Sequence, residues 1–489
     1  MNYVTGTNRK QMKFVCLDEC VNEDSMARFI DELVDGMDTS SFLHSNPSHE
    51  GRPPHNPKDM IKLYLYGYMN GVFSSRALER ACMFHMEAKW LMKEIVPHNK
   101  TISEFRRLNA KNLKALFVIL VKVLDKEELL DHESFSTDGT KVFASNAKAN
   151  CFNADRLLKQ MDRTSKSLEK YMAELEKNDI QEDRLEKMQE KVRRLNAKKE
   201  KLQNVKNRID KGETQVSLTD PDSRMMKTSN GGKNVCHNIQ ASTESKNGFI
   251  VAFEPTSDQN DKGQLFDMSM KIKENLGLDE KAEITNTADK GYHDTEQLHK
   301  CHQNNITTLV AIPDDDDRDT DKYPKKKFTF NEEENTFTCP TGQKLEFYRM
   351  QDEKYNIYQN SKACRNCPNR EKCTESSYRV ISQHKHYKAE QKNAAALAAN
   401  PEKYKLRGQL SELPFAEIKF NMRYTRFLTR GNRMVSAETA LIMMSYNIKK
   451  LRNIRENAKK GKNSRGFLVI FVFTPIKGAL PKNQSEMAA

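Results

Sequence analysis

Apolar and polar positions along the chain follow two rhythms, and the change from one to the other falls near residue 134. From Asn56, the residues Met60, Leu63, Tyr64 and Tyr68 recur at helical spacing, with Asn56 suited to cap and Pro57 to the first helical position. Gly71 breaks this pattern. A second helix is expected from Ser74 or Ser75 through Trp90, and a third from Thr101, where Thr101 and Glu104 have capping-box spacing. Residues 1–50 are mixed and mostly polar, and predict no element. A strand is expected over Ser134–Phe143, and NVCHNIQASTE and GFIVAFEPT alternate as two antiparallel strands would. The helical stretch DKGQLFDMSMKIKENLG, the strand AEITNTAD, the helix TEQLHKCHQNN and the strand TTLVAIP complete the series.

Three strands, a helix, a strand, a helix and a strand is the order of a ribonuclease-H-like mixed sheet, an α/β fold that sets its first and fourth strands side by side. Two insertions interrupt the series. Asp155 to about Asp210 is charged and helical, with Leu168, Met172, Leu175, Leu185, Met188, Val192, Leu195 and Leu202 at heptad-like spacing. A polar break at 178–182 predicts a helical hairpin rather than one rod, and its balanced charges read as a solvated face. After Pro313 the run DDDDRDTD and the basic YPKKK mark a linker into a second insertion. The expected organisation is a helical N-terminal domain over 1–130, a catalytic core over 131–154 and 213–324, the hairpin over 155–212, a Cys-rich insertion over 325–400, a helical C-terminal part of the core over 401–455, and a basic tail over 456–489.

Two aspartates stand at strand mouths. Asp138 in FSTDGTKVFASN and Asp289 in ITNTADKGY each end an apolar, β-prone run and are followed at once by Gly or Lys-Gly. Glu412, in YKLRGQLSELPFAEIK, opens a segment of helical spacing. Singly, each acid is more simply a solvated carboxylate. Brought together, three carboxylates are hard oxygen ligands suited to Mg²⁺ or Mn²⁺, and such a site can hold two ions that act on a phosphodiester.

The chain has 489 residues, with 81 Lys and Arg against 68 Asp and Glu, a net +13. That excess favours a polyanionic partner without requiring one. The N-terminus lacks the apolar stretch of a signal sequence, and the longest apolar run, FLVIFVF near residue 470, is far short of a membrane span, so a cytoplasmic protein with no membrane partner is expected. Its ten cysteines are then thiols or metal ligands. Cys339, with Cys364, Cys367 and Cys373 in ACRNCPNREKC, could complete a closed tetrahedral Zn²⁺ site, against the simpler reading of four unrelated thiols. Cys16, Cys20, Cys82, Cys151, Cys236 and Cys301 read as small apolar fillers.

The ordered pieces GRPPHNPKDMIKLYLYGYMNG, SSRALERA, TISEFRRLN, DGTKVFASNAK, TDPDSRMMK, HNIQ, ADKGY, the Cys-x2-Cys cluster and FLTRGNRMVSAETALIMMSYNIKKL resemble the DDE-type transposases of bacterial insertion sequences, over about Gly51 to Leu451. Tyr404, Arg407, Glu412 and Lys419 form a Tyr-x2-Arg-x4-Glu-x6-Lys array that is similar to the one around that family's catalytic glutamate. The resemblance implies a catalytic and metal-binding trio of Asp138, Asp289 and Glu412. It also implies DNA contacts by Tyr404, Arg407 and Lys419 near the cut, and an N-terminal domain that binds terminal inverted repeats.

Arg76, Arg106 and Arg107, together with Arg80 and Lys111, are the expected DNA-facing residues of that domain, although spacing alone fits a bundle with a basic wet face. On an ideal helix Lys419 returns to the face of Glu412 after two turns, while Glu417 points away. Glu438 is expected to support this face or to pair with Arg430 or Arg433, and Asp261 to cap the helix that follows it. His237 stands where the family often has Tyr, which weakens a stacking role there. The implied activity is cleavage at transposon ends followed by strand transfer into target DNA, by a homodimer working at the nucleoid. A silent DNA-binding descendant, or a metal-dependent nuclease without strand transfer, stays open beside it.

Overall fold

Helix starts in the N-terminal third are set by short polar side chains. In the computed structural model, which describes residues 10, 12, 14–43, 53–175, 182–228, 231–313 and 322–460, the Ser25 hydroxyl accepts the Ala27 N–H and opens α1 (Met26–Asp35). The Asn56 side chain does the same for the Lys58 N–H at α2 (Pro57–Met69). Helix α1 was not legible in the polar first fifty residues, yet it buries Ala27, Ile30, Leu33 and Val34 along one stripe. The stretch from Ser74 to Trp90 is two helices, α3 (Ser75–Phe84) and α4 (Met86–Leu91), because His85 is extended at φ −96° and ψ 123°. Helix α5 (Asn99–Leu108) begins before Thr101, capped by His98, and Glu104 pairs with Arg107 instead of closing a capping box. Helix α6 (Ala110–Lys126) follows at once.

The sheet is built around β1 (Ser134–Phe143), whose bounds match expectation. A short pair, β2 (Cys151–Phe152) and β3 (Val216–Ser217), brackets two long helices, α7 (Ala154–Leu175) and α8 (Glu182–Asp210). These pack on each other as the expected hairpin, anchored by Phe152, Leu157, Leu202, Val205 and Val216. Most of the polar break expected between them lies outside the described residues.

Strand β4 (Arg224–Lys227) and β6 (Ile250–Thr256) succeed one another along one edge of β5 (Lys233–Glu244), and β1 lies antiparallel along the other. Helix α9 (Leu265–Leu276) leads to β7 (Ile284–Ala288), parallel to β1, and α10 (Thr295–Gln303) to β8 (Ile306–Val310), parallel to β7. The order β6-β5-β1-β7-β8, antiparallel through the first three and parallel through the last two, is that of a ribonuclease-H-like core.

The second insertion is a five-stranded antiparallel sheet: β9 (Thr329–Asn331), β10 (Thr336–Thr338), β11 (Lys344–Gln351), β12 (Tyr355–Gln359) and, after α11 (Ser361–Arg365), β13 (Val380–His384). It closes on its own cluster of Phe328, Phe337, Leu345, Tyr358 and Ile381. Helix α12 (Tyr387–Ala399), expected within this insertion, instead belongs to the main core. Asn393 accepts the Val310 N–H at 3.0 Å and donates to the Val310 carbonyl at 2.8 Å, standing in for a further strand beside β8.

The chain continues through α13 (Pro401–Lys405), a π-helical turn at Gly408–Glu412, α14 (Leu413–Ala416), a second π-helical turn at Glu417–Asn421, and the long α15 (Asn432–Lys460). Helix α15 packs on α2, α6 and β6, so that one continuous apolar core runs from Ile30 and Tyr64 through Leu120 and Phe253 to Leu441. The N-terminal helices thus share the core of the sheet. Among the described residues no helix is long and apolar enough to cross a membrane. FLVIFVF and the rest of the basic tail beyond Lys460 lie outside the described residues.

Candidate active site

Parallel pairing of β1 with β7 aligns Ser136 with Thr287, and Asp138 and Asp289 each follow two residues later. Asp138 is not at a strand mouth but in the middle of β1, beyond the end of its pairing with β7, whereas Asp289 does stand just past β7. Asp138 accepts the Gly139 N–H at 2.8 Å, and Asp289 accepts the Gly291 N–H at 2.8 Å. Burial pushes the Asp138 carboxyl up to about 6; the Asp289 and Asp261 charges add to this, against the Gly139 N–H and Arg407. The structure thereby brings two of the three expected acids together.

The third expected acid stands differently. The π-helical turn carrying Glu412 packs on β1 and β5, but its carboxylate is 66% exposed and lies 3.6 Å from the Arg407 guanidinium. Arg407 in turn sits over the Tyr404 ring at 6.0 Å. Lys419 lies in the second of two π-helical turns that flank α14, so the ideal-helix phase used to set it on the Glu412 face does not apply. Its half-buried ammonium donates to the Thr140 hydroxyl, on the Asp138 face of β1, and burial holds its pKa below the ordinary value. Glu417 turns away, as expected, to pair with Lys449. Among the described residues no three His, Cys, Asp or Glu side chains are gathered closely enough to hold a metal ion as they stand.

An acid that sequence reasoning placed elsewhere joins the pair. Asp261 does not cap α9, whose N-cap is Gln264. Its Oδ1 accepts from Asn238 Nδ2 and Gln240 Nε2, both at 2.8 Å, and the buried Tyr292 hydroxyl donates to Gln240 Oε1. A Cβ at residue 139 would meet Asp261 Oδ1 at 2.5 Å and Gln240 Nε2 at 2.6 Å, so this approach requires Gly139. The available signal was Asn238 and Gln240 on one face of a strand that is buried along most of its length. The neighbouring His237 is fully buried and bonded to Asp220 at 2.8 Å.

The expected basic residues divide. Arg76 is exposed, and Arg107 is exposed in a surface pair with Glu104. Arg106, expected to face DNA, is 6% exposed; it donates to the Tyr68 hydroxyl at 3.1 Å and stacks over Tyr64, so it holds the interior and has no face for a phosphate. Glu438 pairs with neither Arg430 nor Arg433. It is fully buried and accepts from the backbone N–H groups of Leu428 and Thr429 and from the Thr429 hydroxyl.

Cys339, Cys364, Cys367 and Cys373 line one cavity of about 30 Å³ in the inserted sheet, beside Phe328 and Leu345. The Gln343 N–H donates to Cys339 Sγ at 3.3 Å. Burial pushes the Cys373 thiol up, and the other three cysteines push it further, against Arg379. Of the remaining six, Cys82, Cys151, Cys236 and Cys301 are buried fillers, whereas Cys16 is exposed and Cys20 partly so, since both precede the packed part of α1.

Residues 15–108 match the family model of a transposase domain, DUF772, and residues 338–452 match that of a transposase DDE domain. The second match takes in Tyr404, Arg407, Glu412, Lys419 and the four clustered cysteines. No curated protein matches the chain. Among solved structures, a piggyBac transposase synaptic complex with hairpin DNA covers 90% of this chain and 73% of its own, at 8% identity and a TM-score of 0.30, a likeness too slight to argue from. With a transposase domain matched at the N-terminal end, a DDE domain toward the C-terminal end, and a ribonuclease-H-like sheet between them, the chain is a transposase of the DDE type found in insertion sequences.

Proposed function

We propose that this transposase cuts double-stranded DNA at the inverted repeats of its element and joins the freed 3′-hydroxyl to target DNA, using Asp138, Asp289 and Glu412 as ligands for Mg²⁺ or Mn²⁺. The observation that carries this reading is the meeting of Asp138 on β1 with Asp289 just past the end of the parallel β7, with Arg407 and Lys419 beside them. The donor chemistry fits: the acids offer only oxygen, and the buried Asn238 Oδ1 has no hydrogen-bond partner among the described residues. Divalent cations held there supply activation of the attacking oxygen and neutralisation of the leaving one.

The chain's own residues do the rest. Lys419, braced on Thr140, and Arg407, stacked on Tyr404, grip phosphates on either side of the cut and hold the scissile bond in line. A phosphate taken by Arg407 competes with Glu412 for that guanidinium, and so releases the Glu412 carboxylate toward the aspartate pair. Arg76 and Arg107 contribute phosphate contacts from the N-terminal helices, whose packing on the sheet couples repeat binding to the site. Two such chains bridge the two element ends as a homodimer. In the inserted sheet, the four cysteines hold a structural Zn²⁺.

The test is incubation of the purified chain with Mg²⁺ and DNA carrying the element's own ends. Cleaved and joined products support the proposal. Cleavage alone would make the protein a nuclease without strand transfer, and a shifted band alone a DNA-binding descendant.

A further inference from the structure

Asp261 is an acid beside this pair whose charge the surrounding hydrogen bonds do not need. Its Oδ1 accepts from the Asn238 and Gln240 amides, work that a neutral asparagine carbonyl at this position would do equally well. Its Oδ2 has no such partner among the described residues and faces Gly291: a Cβ there would lie 3.7 Å from Asp261 Oδ2 and 3.0 Å from Asp289 Oδ1, so the two carboxylates approach the same point. A Cβ on Gly139 would likewise lie 3.2 Å from Asn238 Oδ1, a buried oxygen without a partner among the described residues. A carboxylate placed against two others is costly unless a cation neutralises them.

We propose that Asp261 is a further metal-facing carboxylate of this site, its Oδ2 opposite Asp289 and the orphan Asn238 Oδ1 beside it, together forming an oxygen cradle for a divalent cation. This rests on the reading of Asp138 and Asp289 as cation ligands. Asp261 is fixed at Gly139, on the face of β1 opposite Lys419, so the cation is approached from both sides of the strand end. The two amides hold Oδ1 in place, so Oδ2 would be the oxygen left to a cation, and its position would be set before DNA arrives.

The experiment is a titration of the full chain with Mn²⁺, following free Mn²⁺ by electron paramagnetic resonance, for the wild type, Asp261→Asn and Asp138→Asn. The metal-free melting temperature of each is recorded alongside. Asp261→Asn keeps both amide bonds and loses only the charge, so it should melt no lower than the wild type without metal. Its Mn²⁺ affinity should fall about tenfold or more, and the Mn²⁺-induced rise in melting temperature should be lost. Wild-type Mn²⁺ affinity in Asp261→Asn, with weakened binding in Asp138→Asn, would overturn the assignment of Asp261 and leave the Asp138–Asp289 reading standing. Unchanged affinity in both variants would overturn the two together.

Discussion

Asp138, within β1, and Asp289, one residue past the end of β7, each follow two residues after the aligned pair Ser136 and Thr287, so two carboxylates from distant parts of the chain come close enough for the charge of one to disfavour that of the other. Because burial and neighbouring charge already disfavour the Asp138 anion, removing that charge should cost the fold little. Asp138→Asn and Asp289→Asn are therefore expected to keep the wild-type melting temperature and DNA affinity. Strand cleavage in Mg²⁺ should fall by about 10²–10³-fold or more. Mg²⁺-dependent nicking retained by either variant would count against their role.

Glu412 and Glu438 make a useful contrast, since both are glutamates of the C-terminal helical region and only one is buried. Glu438 accepts three hydrogen bonds from Leu428 and Thr429 inside the core, and Glu438→Ala would strand those donors, costing about 3 kcal/mol in urea denaturation. Glu412 is largely in solvent, and Glu412→Gln should change stability by no more than about 0.5 kcal/mol while abolishing cleavage. Equal destabilisation by the two substitutions would contradict the geometry.

What the sequence made legible, and what it hid, follows from the range of the interactions involved. Strands β1, β5, β6, β7 and β8 were readable because alternation and their turn residues are local, whereas β2, β3 and β4, of two to four residues, are too short to show it. The crossover order then brought the acid of β1 near that after β7 without any contact being known. Arg106 was misread because helical spacing says which residues share a face, not which face meets Tyr64 and Tyr68. An ideal helix could not place Lys419, because π-helical turns change the phase of a helix and leave no simple mark in residue type. Asp261 was hidden for a third reason. Its partners Asn238 and Gln240 come from another strand, and an aspartate ahead of a helix ordinarily reads as a cap.

The buried pair of Asp220 and His237 should shape the acid limb of stability. Burial alone would raise the Asp220 carboxyl, but its bonds to His237 and to the Gly431 N–H outweigh this and hold it below its ordinary value of 3.8. A depressed folded-state value means stability that is present above the ordinary value and lost as pH falls through the lower folded one. The melting temperature of the wild type should therefore drop as pH falls below about 4. Asp220→Asn should be less stable than the wild type at pH 7 and close on it as pH falls further below about 4. A difference between the two that stays constant over that range would show that Asp220 is not the titrating group.

The inserted sheet offers the last test, because its cluster of Phe328, Phe337, Leu345, Tyr358 and Ile381 is small for a unit that must hold five strands. Units this short are usually stapled by disulfides or a metal, and no cysteine here is paired in a disulfide. If Zn²⁺ is the staple, the purified chain should carry one ion by atomic absorption, and Cys364→Ser or Cys367→Ser should lose it. Metal withdrawal by a chelator should then open residues 322–384 to protease before the sheet around β1 becomes sensitive, since the latter has its own continuous core. Readdition of Zn²⁺ should restore protection. A chain that binds no Zn²⁺, or whose protease pattern is the same with and without chelator, would leave the four thiols as apolar packing around a small cavity.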